Sequence, residues 1–248
     1  MILSSKYKIL SPINNGSYGK VFLGESVATK IRVAIKMEDK EINLLKREAQ
    51  IYQYLAGHRG IPRLKYYGTT KICNFLVLPF LGKSLASRKF SREETLFIAR
   101  KMVEIIEYIH SKGFLHRDLK PDNFLIGDGD EINVHVIDFG LSKKYIDDEN
   151  NHISFKNGKH LVGSVNYSSV YVQKGYEASR RDDLESVMYV LIFLLIGKIP
   201  WDGLSDEDTV NIKLNYSHEY LSKPISVCRL LQFEEKPNYA TFINFFQC

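Results

Sequence analysis

The first third of the chain alternates apolar and polar residues in short runs, which polar or glycine-bearing turns separate. These runs are rich in β-branched and aromatic residues, which is typical of strands in a sheet. Strands are predicted at residues 7–13, 20–26 and 32–38, and two more within residues 65–82. The first third is therefore predicted to contain about five strands.

One stretch of this region has a different period. In residues 41–57 the apolar side chains recur about every 3.6 positions, which predicts an amphipathic helix. The apolar positions are Ile42, Leu45, Ile51, Tyr52 and Leu55, and Gly57 is a plausible end of the helix.

The second part of the chain has the longer periods of helices. A helix is predicted over residues 91–113, because Ser91 and Glu94 form a capping box and Gly113 can end the helix. Residues 182–197 are apolar nearly all round, which is typical of a central buried helix. Further helices are predicted at 205–216 and 238–246, and short strands near 124–127 and 135–140.

Together these elements predict an α+β protein with two lobes. A small β-rich lobe with one helix spans residues 1–81, and a larger, mainly helical lobe spans residues 83–248. The join lies at about residues 79–82. The sequence contains no internal repeat and no low-complexity tract.

Composition and charge are those of an ordinary globular protein. Of the 248 residues, 44% are hydrophobic and 25% are charged. The formal net charge is +5, and the basic excess is confined to the first 82 residues. A basic region can attract polyanions, but charge alone favours the simpler interpretation of a solvated surface. We expect no nucleic acid partner.

The cysteines and the apolar segments predict a soluble intracellular protein. Cys73, Cys228 and Cys248 are too few for a disulfide scaffold and lack the spacing of a metal site. The amino terminus has no signal-peptide core, and the longest apolar run, 187–197, is too short to cross a bilayer. We expect a location in the cytoplasm, the nucleus or both, with no membrane insertion.

Two glycines lie in a predicted hairpin at residues 13–21, which read INNGSYGKV. Gly16 and Gly19 allow backbone amides to approach a phosphate group closely. On its own such a hairpin is more often a simple turn than a phosphate-binding loop.

The strand with the sequence VAIK ends in Lys36, and Glu48 follows on the apolar side of the predicted helix. We expect Glu48 to have a partner, and Lys36 is the obvious candidate. A buried ion pair is a costly way to gain stability, but it makes sense if the lysine must be directed at a phosphate group. The alternative is a lysine that simply extends to solvent.

Residues 116–123, with the sequence HRDLKPDN, form a dense cluster of polar residues. Charged groups resist burial unless they are paired, so folding gains little from this cluster. A tight loop here places Asp118, Lys120 and Asn123 on one side. Asp118 can orient a hydroxyl group and accept its proton, Lys120 can neutralise a phosphoryl group, and Asn123 offers an oxygen to Mg²⁺.

A further acidic position follows in the sequence IDFG. Asp138 comes at the end of a short predicted strand, and Gly140 gives the turn room. An aspartate before a glycine is often only a turn residue. Together with Asn123, however, Asp138 gives two oxygen ligands, and these plus nucleotide phosphates are the usual Mg²⁺ arrangement.

The order of these motifs resembles the set found in protein kinases: a glycine-rich loop, a strand lysine, a helix glutamate, a catalytic-loop aspartate and asparagine, and a DFG motif. The LKPDN sequence is similar to that of serine/threonine kinases. Four stretches together resemble the casein kinase I family, namely HRDLKPDNFLIG, VIDFGLSKKY, SRRDDLESVMYVLIFLLIGKIPW and FEEKPNYATF. The resemblance covers nearly the whole chain, and, as in that family, no Ala-Pro-Glu motif is present.

This resemblance implies a single catalytic domain over residues 1–248 with the bilobal kinase fold. It implies a constitutively active monomer that uses ATP and Mg²⁺ to phosphorylate Ser and Thr hydroxyls of protein substrates. The residues implied in catalysis are Asp118, Lys120, Asn123, Lys36 and Glu48, and the implied metal ligands are Asn123 and Asp138. The residues implied in nucleotide binding are Ile13, Asn14, Gly16, Ser17, Gly19, Val21, Ala34, Lys36, Leu78, Pro79, Leu81, Leu125 and Asp138.

The chain departs from this family at several positions. Asn14 replaces the first glycine of the phosphate loop, and Pro79 replaces a hinge glutamate but keeps the carbonyl that can hold adenine, together with the Leu81 amide. Asn166 replaces an arginine, and a stretch that is usually basic is acidic at 205–211. We therefore predict a weaker preference for phosphorylated substrates. The remaining candidates for cations that bind a substrate phosphate are Lys143, Lys159, Arg180 and Arg181, and the sequence does not show where these side chains point.

The sequence leaves other functions open. A pseudokinase keeps the fold without transfer, but it usually lacks one of the residues that are intact here. A kinase of small molecules is opposed by the long segment 141–175, which would shape a groove for a protein substrate. Arg117 either pairs with a phosphorylated activation segment or forms a local hydrogen bond.

Overall fold

The computed structural model describes residues 2–16, 19–127 and 131–247. The chain divides into two compact units. The N-terminal unit is Met1–Gly82 together with His135–Gly140, and the C-terminal unit is Lys83–Val134 together with Leu141–Cys248. The short segment His135–Gly140 therefore belongs to the first unit, although it is far from the rest of that unit in the sequence.

One antiparallel sheet of six strands forms the frame of the N-terminal unit, with the strand order β1-β2-β3-β4-β6-β5. The strands are β1 Ile2–Leu3, β2 Tyr7–Gly16, β3 Gly19–Ser26, β4 Arg32–Asp39, β5 Tyr66–Thr69 and β6 Cys73–Pro79. The five predicted strands are confirmed. The sequence missed β1, because two residues are too few to show a period.

The core of this unit lies on one face of the sheet. Its buried side chains are Leu3, Val33, Ile35, Phe75 and Val77. Because successive side chains of a strand point to opposite faces, Ala34 and Lys36 lie on the face opposite to this core.

The helix α1, Leu44–Tyr54, is shorter than the predicted helix at 41–57. Asn43 has a left-handed conformation with φ of 56°, so the helix cannot extend through it. Ile42, which we assigned to the apolar face, precedes the helix and is exposed. The side chains that α1 buries are Leu45, Glu48, Ala49, Ile51 and Tyr52.

Helices dominate the C-terminal unit. They are α2 Arg92–Ser111, α3 Val170–Gln173, α4 Arg180–Ile196, α5 Asp206–Asn215, α6 Ser222–Leu230 and α7 Tyr239–Asn244. Four of them were predicted, and the capping box of Ser91 and Glu94 is present at the start of α2. The sequence missed α3, a single turn with the strand-like sequence VYVQ, and α6, whose pattern Pro224 interrupts.

Four short strands complete the fold. They are β7 Phe114–Leu115, β8 Phe124–Ile126, β9 Val134–Val136 and β10 Lys143–Lys144, and β7 pairs with β10. The two short strands predicted near 124–127 and 135–140 are thus confirmed. However, β9 ends at Val136, so Asp138 lies in the loop that follows the strand.

The central helix of the C-terminal unit is α4, which is buried nearly all round and packs against α2 and α6. Among the helices of the described residues, none is both long and apolar enough to cross a membrane. Cys73 and Cys228 are free thiols and both are buried, and Cys248 lies outside the described residues.

Candidate active site

The N-terminal unit brings one lysine against two carboxylates. The Nζ atom of Lys36 lies 2.9 Å from Oε2 of Glu48 and 2.8 Å from Oδ1 of Asp138. The side chain of Glu48 is 2% exposed and that of Lys36 is 14% exposed, so water screens this ion pair little. The predicted Lys36–Glu48 pair is confirmed, and Asp138 joins it.

The two carboxylates keep Lys36 charged. Burial by itself lowers the pKa of a lysine, but Glu48 and Asp138 outweigh burial and raise the pKa of Lys36 above its ordinary value. Burial raises the pKa of Glu48, and the attraction of Lys36 opposes that change. Lys36 is therefore an ammonium ion at neutral pH and can attract phosphate groups.

A second glutamate, Glu38, fixes the start of the helix that carries Glu48. The Oε2 atom of Glu38 accepts hydrogen bonds from the backbone N–H groups of Leu44 and Leu45, each at 3.1 Å. Oε1 of Glu38 accepts one from Nδ2 of Asn74 at 3.1 Å. Glu38 and Asn74 are paired residues of β4 and β6, so the sheet itself caps α1.

The loop after β9 holds Asp138 in an unusual backbone conformation. Its φ is 67°, which is left-handed and rarely adopted by residues other than glycine. The backbone N–H of Asp138 donates to the hydroxyl of Tyr52 on α1 at 3.0 Å, and the Gly140 N–H donates to Oδ1 of Asp138 at 3.3 Å. Such strained positions persist where surrounding contacts fix them, often at functional sites.

The sheet face that carries Lys36 also carries apolar residues from the predicted nucleotide site. Val21 is the strand partner of Lys36, and Leu78 is the partner of Ala34, so the four residues share one face of the sheet. Val21, Ala34 and Leu78 are half-buried, and Ile13 on β2 is exposed. Their role in nucleotide binding stays a prediction.

The predicted phosphate loop includes the end of β2 and the start of β3. Gly16 and Gly19 are strand partners there, and the backbone of Asn14 lies within β2. Gly19 has φ of 144°, and a Cβ atom on it would lie 2.4 Å from the carbonyl oxygen of Met37, so the close approach of β3 to β4 requires glycine. Ser17 lies outside the described residues.

The predicted adenine-binding positions belong to two units. Pro79 is the last residue of β6, and Leu81 follows it in the N-terminal unit. Leu125 lies in β8 of the C-terminal unit, where its backbone pairs with Ser84. All three predicted residues are half-buried.

In the C-terminal unit, both carboxylate oxygens of Asp118 are occupied by donors. Oδ2 accepts from Nζ of Lys120 at 2.9 Å and from Nδ2 of Asn123 at 3.2 Å. Oδ1 accepts from the backbone N–H of Ser164 at 3.0 Å and from its hydroxyl at 2.8 Å. The prediction that Asp118, Lys120 and Asn123 lie together is confirmed.

The backbone of this loop is anchored by α4. Asp183 accepts hydrogen bonds from the N–H groups of His116 at 2.7 Å and Arg117 at 2.9 Å. Arg117 has φ of 69°, and its Nε donates to the Leu141 carbonyl at 2.7 Å. Of the two predicted roles of Arg117, this contact is the local hydrogen bond and not the pairing with a phosphorylated segment. A Cβ atom on Gly163 would lie 2.4 Å from the Arg117 carbonyl oxygen, so the approach of Ser164 to Asp118 depends on that glycine.

The comparison with known families decides what these two groups of residues belong to. The sequence model of the protein kinase domain family matches residues 7–240. The chain belongs to the protein kinase family. The kinase domain confirms the predicted α+β, bilobal fold, and it implies phosphoryl transfer from ATP to protein substrates with a divalent metal.

The sequence did not reveal two residues of the kinase site. Ser164 lies in the GSVNY stretch two residues before Asn166, and its hydroxyl directly after Gly163 is the sequence signal for it. Glu38 is the last residue of the predicted strand 32–38 and begins the charged run EDKE, where side chains are typically solvated. Its contacts depend on the pairing of β4 with β6, which the sequence does not show.

Within the C-terminal unit of the kinase, a cavity of about 270 Å³ is lined by Arg117, Lys143 and Lys159. Lys143 lies 2.8 Å and Lys159 lies 3.8 Å from the carboxylate of Glu177 in the cavity wall. Burial raises the pKa of Glu177, but Lys143, Lys159 and Arg117 outweigh burial and lower it. The cations of this cavity are therefore already partly balanced by a carboxylate.

The other two cations proposed for substrate recognition are used elsewhere, which corrects that part of the prediction. Arg180 donates to the Glu234 carbonyl. Arg181 is buried, and its Nη1 donates to the Leu231 carbonyl at 2.6 Å. Both arginines lie at the start of α4, where they tie the chain that follows α6 to that helix.

Asn166 has an acidic partner. Its Nδ2 donates to Oδ1 of Asp202 at 2.7 Å, and its carbonyl accepts from Nε1 of Trp201 at 2.8 Å. Asp202 is exposed. Position 166 therefore has a neutral side chain beside a carboxylate.

Proposed function

We propose that this kinase is a serine/threonine protein kinase of the casein kinase I type that is active without phosphorylation. The observation that carries the proposal is the full occupancy of the Asp118 carboxylate by Lys120, Asn123 and Ser164. The Ser164 hydroxyl donates to the Asp118 carboxylate at 2.8 Å, which supports the proposal that this carboxylate accepts the hydroxyl of a substrate serine.

The roles of the residues follow from their chemistry. Asp118 orients the acceptor hydroxyl and takes its proton, while Lys120 balances charge on the transferring group. Lys36, held by Glu48, binds nucleotide phosphates.

The proposed metal ligands are Asn123 in the C-terminal unit and Asp138 in the N-terminal unit. The amide nitrogen of Asn123 donates to Asp118, so its amide oxygen is the atom suited to a hard cation. The Asp138 carboxylate offers a charged oxygen of the same kind. Both side chains fit Mg²⁺, which neutralises the phosphate charge when it is bound.

Activity without phosphorylation is supported by contacts within the C-terminal unit. In kinases that need a phosphorylated activation segment, the phosphate is bound by cations such as Arg117. Here Glu177 already lies against Lys143 and Lys159, and Arg117 is bonded to the Leu141 carbonyl. A carboxylate of the protein thus supplies charge that a phosphate group supplies elsewhere.

The pseudokinase alternative is disfavoured because every charged residue of the site is present and engaged. A kinase of small molecules is disfavoured by the length of chain between Leu141 and Gly175. The monomeric state and the intracellular location stay predictions.

The proposed function is tested by combining a binding assay with a transfer assay. A thermal-shift titration with MgATP should raise the melting temperature, because a ligand of the folded state stabilises it. Labelled ATP should then phosphorylate dephosphorylated casein on Ser and Thr and leave small alcohols and amines unlabelled. Stabilisation by MgATP without transfer to any protein or peptide would favour the pseudokinase, and transfer to small molecules would favour the third alternative.

We also propose that this kinase prefers phosphorylated, or primed, substrates less than its relatives do. Recognition of a phosphate needs cations, because the group carries about −1.5 to −2 charges. Asn166 is neutral and its Nδ2 is bound to Asp202, and Asp206, Glu207 and Asp208 follow at the start of α5. The electrostatic environment of Asn166 is thus less favourable to a phosphate than the environment that an arginine would create at this position.

Asn166→Arg should raise the ratio of kcat/KM for a primed peptide to that for the matching unprimed peptide by about threefold to tenfold, because charge strengthens a hydrogen bond to phosphate. Asp202 would balance the new arginine, so Asn166→Arg with Asp202→Asn should give the larger change. Asn166→Gln is the neutral control. The ratio should fall as salt rises, since salt screens exposed charges. A strong primed preference in the unmodified enzyme that these changes leave unaltered would show that other cations bind the phosphate.

A further inference from the structure

Lys213, on α5, is a lysine that is only 1% exposed. Its Nζ donates to the carbonyl oxygens of Val165 at 2.9 Å and Ser168 at 2.8 Å, and to Oε1 of Gln173 at 3.0 Å. These three acceptors use all three N–H donors of the ammonium group. All of them belong to residues 165–173, which we call the 165–173 segment.

The partners of this ammonium group are neutral. Among the residues that the structure describes, Lys213 forms no salt bridge. The carboxylate of Glu185 attracts Lys213 most strongly, but it is bonded to Arg229 at 2.9 Å. The rings of Tyr189 and Trp201 have their centroids 4.7 Å and 5.3 Å from Nζ. A buried ammonium without a counter-ion in contact is costly, so stability alone does not explain a lysine at this position.

The 165–173 segment follows directly after a residue that contacts the proposed catalytic carboxylate of Asp118. Ser164, the residue before it, donates both its N–H and its hydroxyl to Asp118. Within the segment, Nε2 of Gln173 also donates to the Val165 carbonyl at 3.2 Å. The segment is therefore attached to Asp118 through Ser164 at its start and to α5 through Lys213 along its length.

We propose that Lys213 is a positioning residue that holds the 165–173 segment in the shape that receives the acceptor peptide. This inference rests on the proposed function, because it assumes that the chain next to Asp118 contacts a protein substrate. Lys213 acts through the segment and does not touch the substrate. Its loss should therefore affect peptide binding more than the rate of transfer or the binding of ATP.

The charge state of Lys213 makes the attachment of the 165–173 segment depend on pH. The groups that face it are Glu185 and Tyr189 from α4, Arg229 from α6, and Asp206 from its own helix. Burial, assisted by Arg229, lowers the pKa of Lys213 to about 7, against the attraction of Glu185 and Asp206.

The sign of the effect follows from linkage. When the segment opens and water reaches Lys213, its pKa returns towards the ordinary 10.5, so opening takes up a proton at pH values between about 7 and 10.5. Raising the pH through this window therefore disfavours opening. The closed segment should be protected more strongly at pH 9 than at pH 7, and below pH 7 this dependence should vanish.

Hydrogen–deuterium exchange on the full chain measures the segment without relying on activity. In Lys213→Met the amides of residues 165–173 should exchange about tenfold faster, because the buried Ser168 carbonyl loses the Lys213 donor and the Val165 carbonyl keeps only that of Gln173. After correction for the intrinsic exchange rate, protection should rise from pH 7 to pH 9 in the unmodified protein and stay constant in Lys213→Met. Lys174→Met is the matched control, since Lys174 is exposed beside the same segment.

Steady-state kinetics then test the consequence for the substrate. With a serine peptide taken from casein, Lys213→Met should raise the KM for the peptide about tenfold. It should change kcat and the KM for ATP little. Gln173→Leu removes one of the three acceptors and should give a smaller change in the same direction, and it serves as the variant of choice if Lys213→Met does not fold.

The outcomes separate this inference from the proposed function. Unchanged exchange of the 165–173 amides in both variants, relative to Lys174→Met, would overturn the positioning role whether or not the protein transfers phosphate. Faster exchange together with an unchanged peptide KM would overturn the link to the substrate. Faster exchange in a chain without any transfer would retain the role of Lys213 in holding the segment and reject the serine/threonine kinase instead.

Discussion

Asp118→Asn is expected to cut phosphoryl transfer to protein by a factor on the order of 10² or more while MgATP binding stays near normal. The change removes the group that takes the proton of the acceptor hydroxyl. It keeps the size of the side chain but leaves only one oxygen, so either Lys120 on Oδ2 or Ser164 on Oδ1 loses its acceptor. Binding is measured by thermal shift with MgATP, and transfer is measured as kcat with labelled ATP.

Asp122→Asn is the matched control for this prediction. Asp122 lies in the same loop and is exposed, and no proposed role depends on it. It should leave kcat within about twofold of the unmodified value, as is usual for surface changes. Near-native turnover in Asp118→Asn would show that the catalytic assignment is wrong.

A separate comparison distinguishes Asp118 from Asp138. Since Asp138 is proposed to bind the metal, Asp138→Asn should weaken the binding of Mg²⁺ and of MgATP together. The same thermal-shift titration, repeated over a range of Mg²⁺ concentrations, measures this difference between the two variants.

Lys36→Met is expected to abolish measurable transfer, and Glu48→Gln to weaken transfer less. Lys36 is the group that binds phosphate, whereas Glu48 only holds Lys36 in place. Removing the lysine also leaves Glu48 buried without its counter-ion, a loss of about 3–5 kcal/mol in the free energy of unfolding unless Glu48 takes up a proton. The assay is therefore run well below the melting temperature of each variant.

Lys46→Met controls for the loss of a positive charge, because Lys46 is an exposed residue of α1. It should transfer phosphate like the unmodified protein. Equal and negligible effects of Lys36→Met and Glu48→Gln would contradict the ion-pair mechanism. A larger effect for Glu48→Gln than for Lys36→Met would reverse the assigned roles.

Local patterns in the sequence are sufficient for the elements that depend on neighbours in the chain. The alternation of residues 32–38 predicts β4, and the capping box of Ser91 and Glu94 predicts the start of α2, because both signals act over a few residues. The cluster of Asp118, Lys120 and Asn123 follows from the same logic, since all three lie in one tight loop. The errors also arise locally: Asn43 delays the start of α1 by adopting a left-handed backbone.

The sequence also predicts one contact between different elements of the fold. The pairing of Lys36 with Glu48 was inferred because a glutamate on an apolar helix face needs a partner, and the structure places the two atoms 2.9 Å apart. The sequence also determines membership in the kinase family, since the match covers residues 7–240.

Only the tertiary structure shows which distant polar groups satisfy one another. Glu38 caps α1, Ser164 bonds Asp118, and Lys213 holds three acceptors of the 165–173 segment. In the sequence these residues look like a solvated strand end, a turn serine and a surface lysine. A buried polar group must find a partner wherever the fold brings one near, and that partner depends on strand pairing and helix packing rather than on distance along the chain.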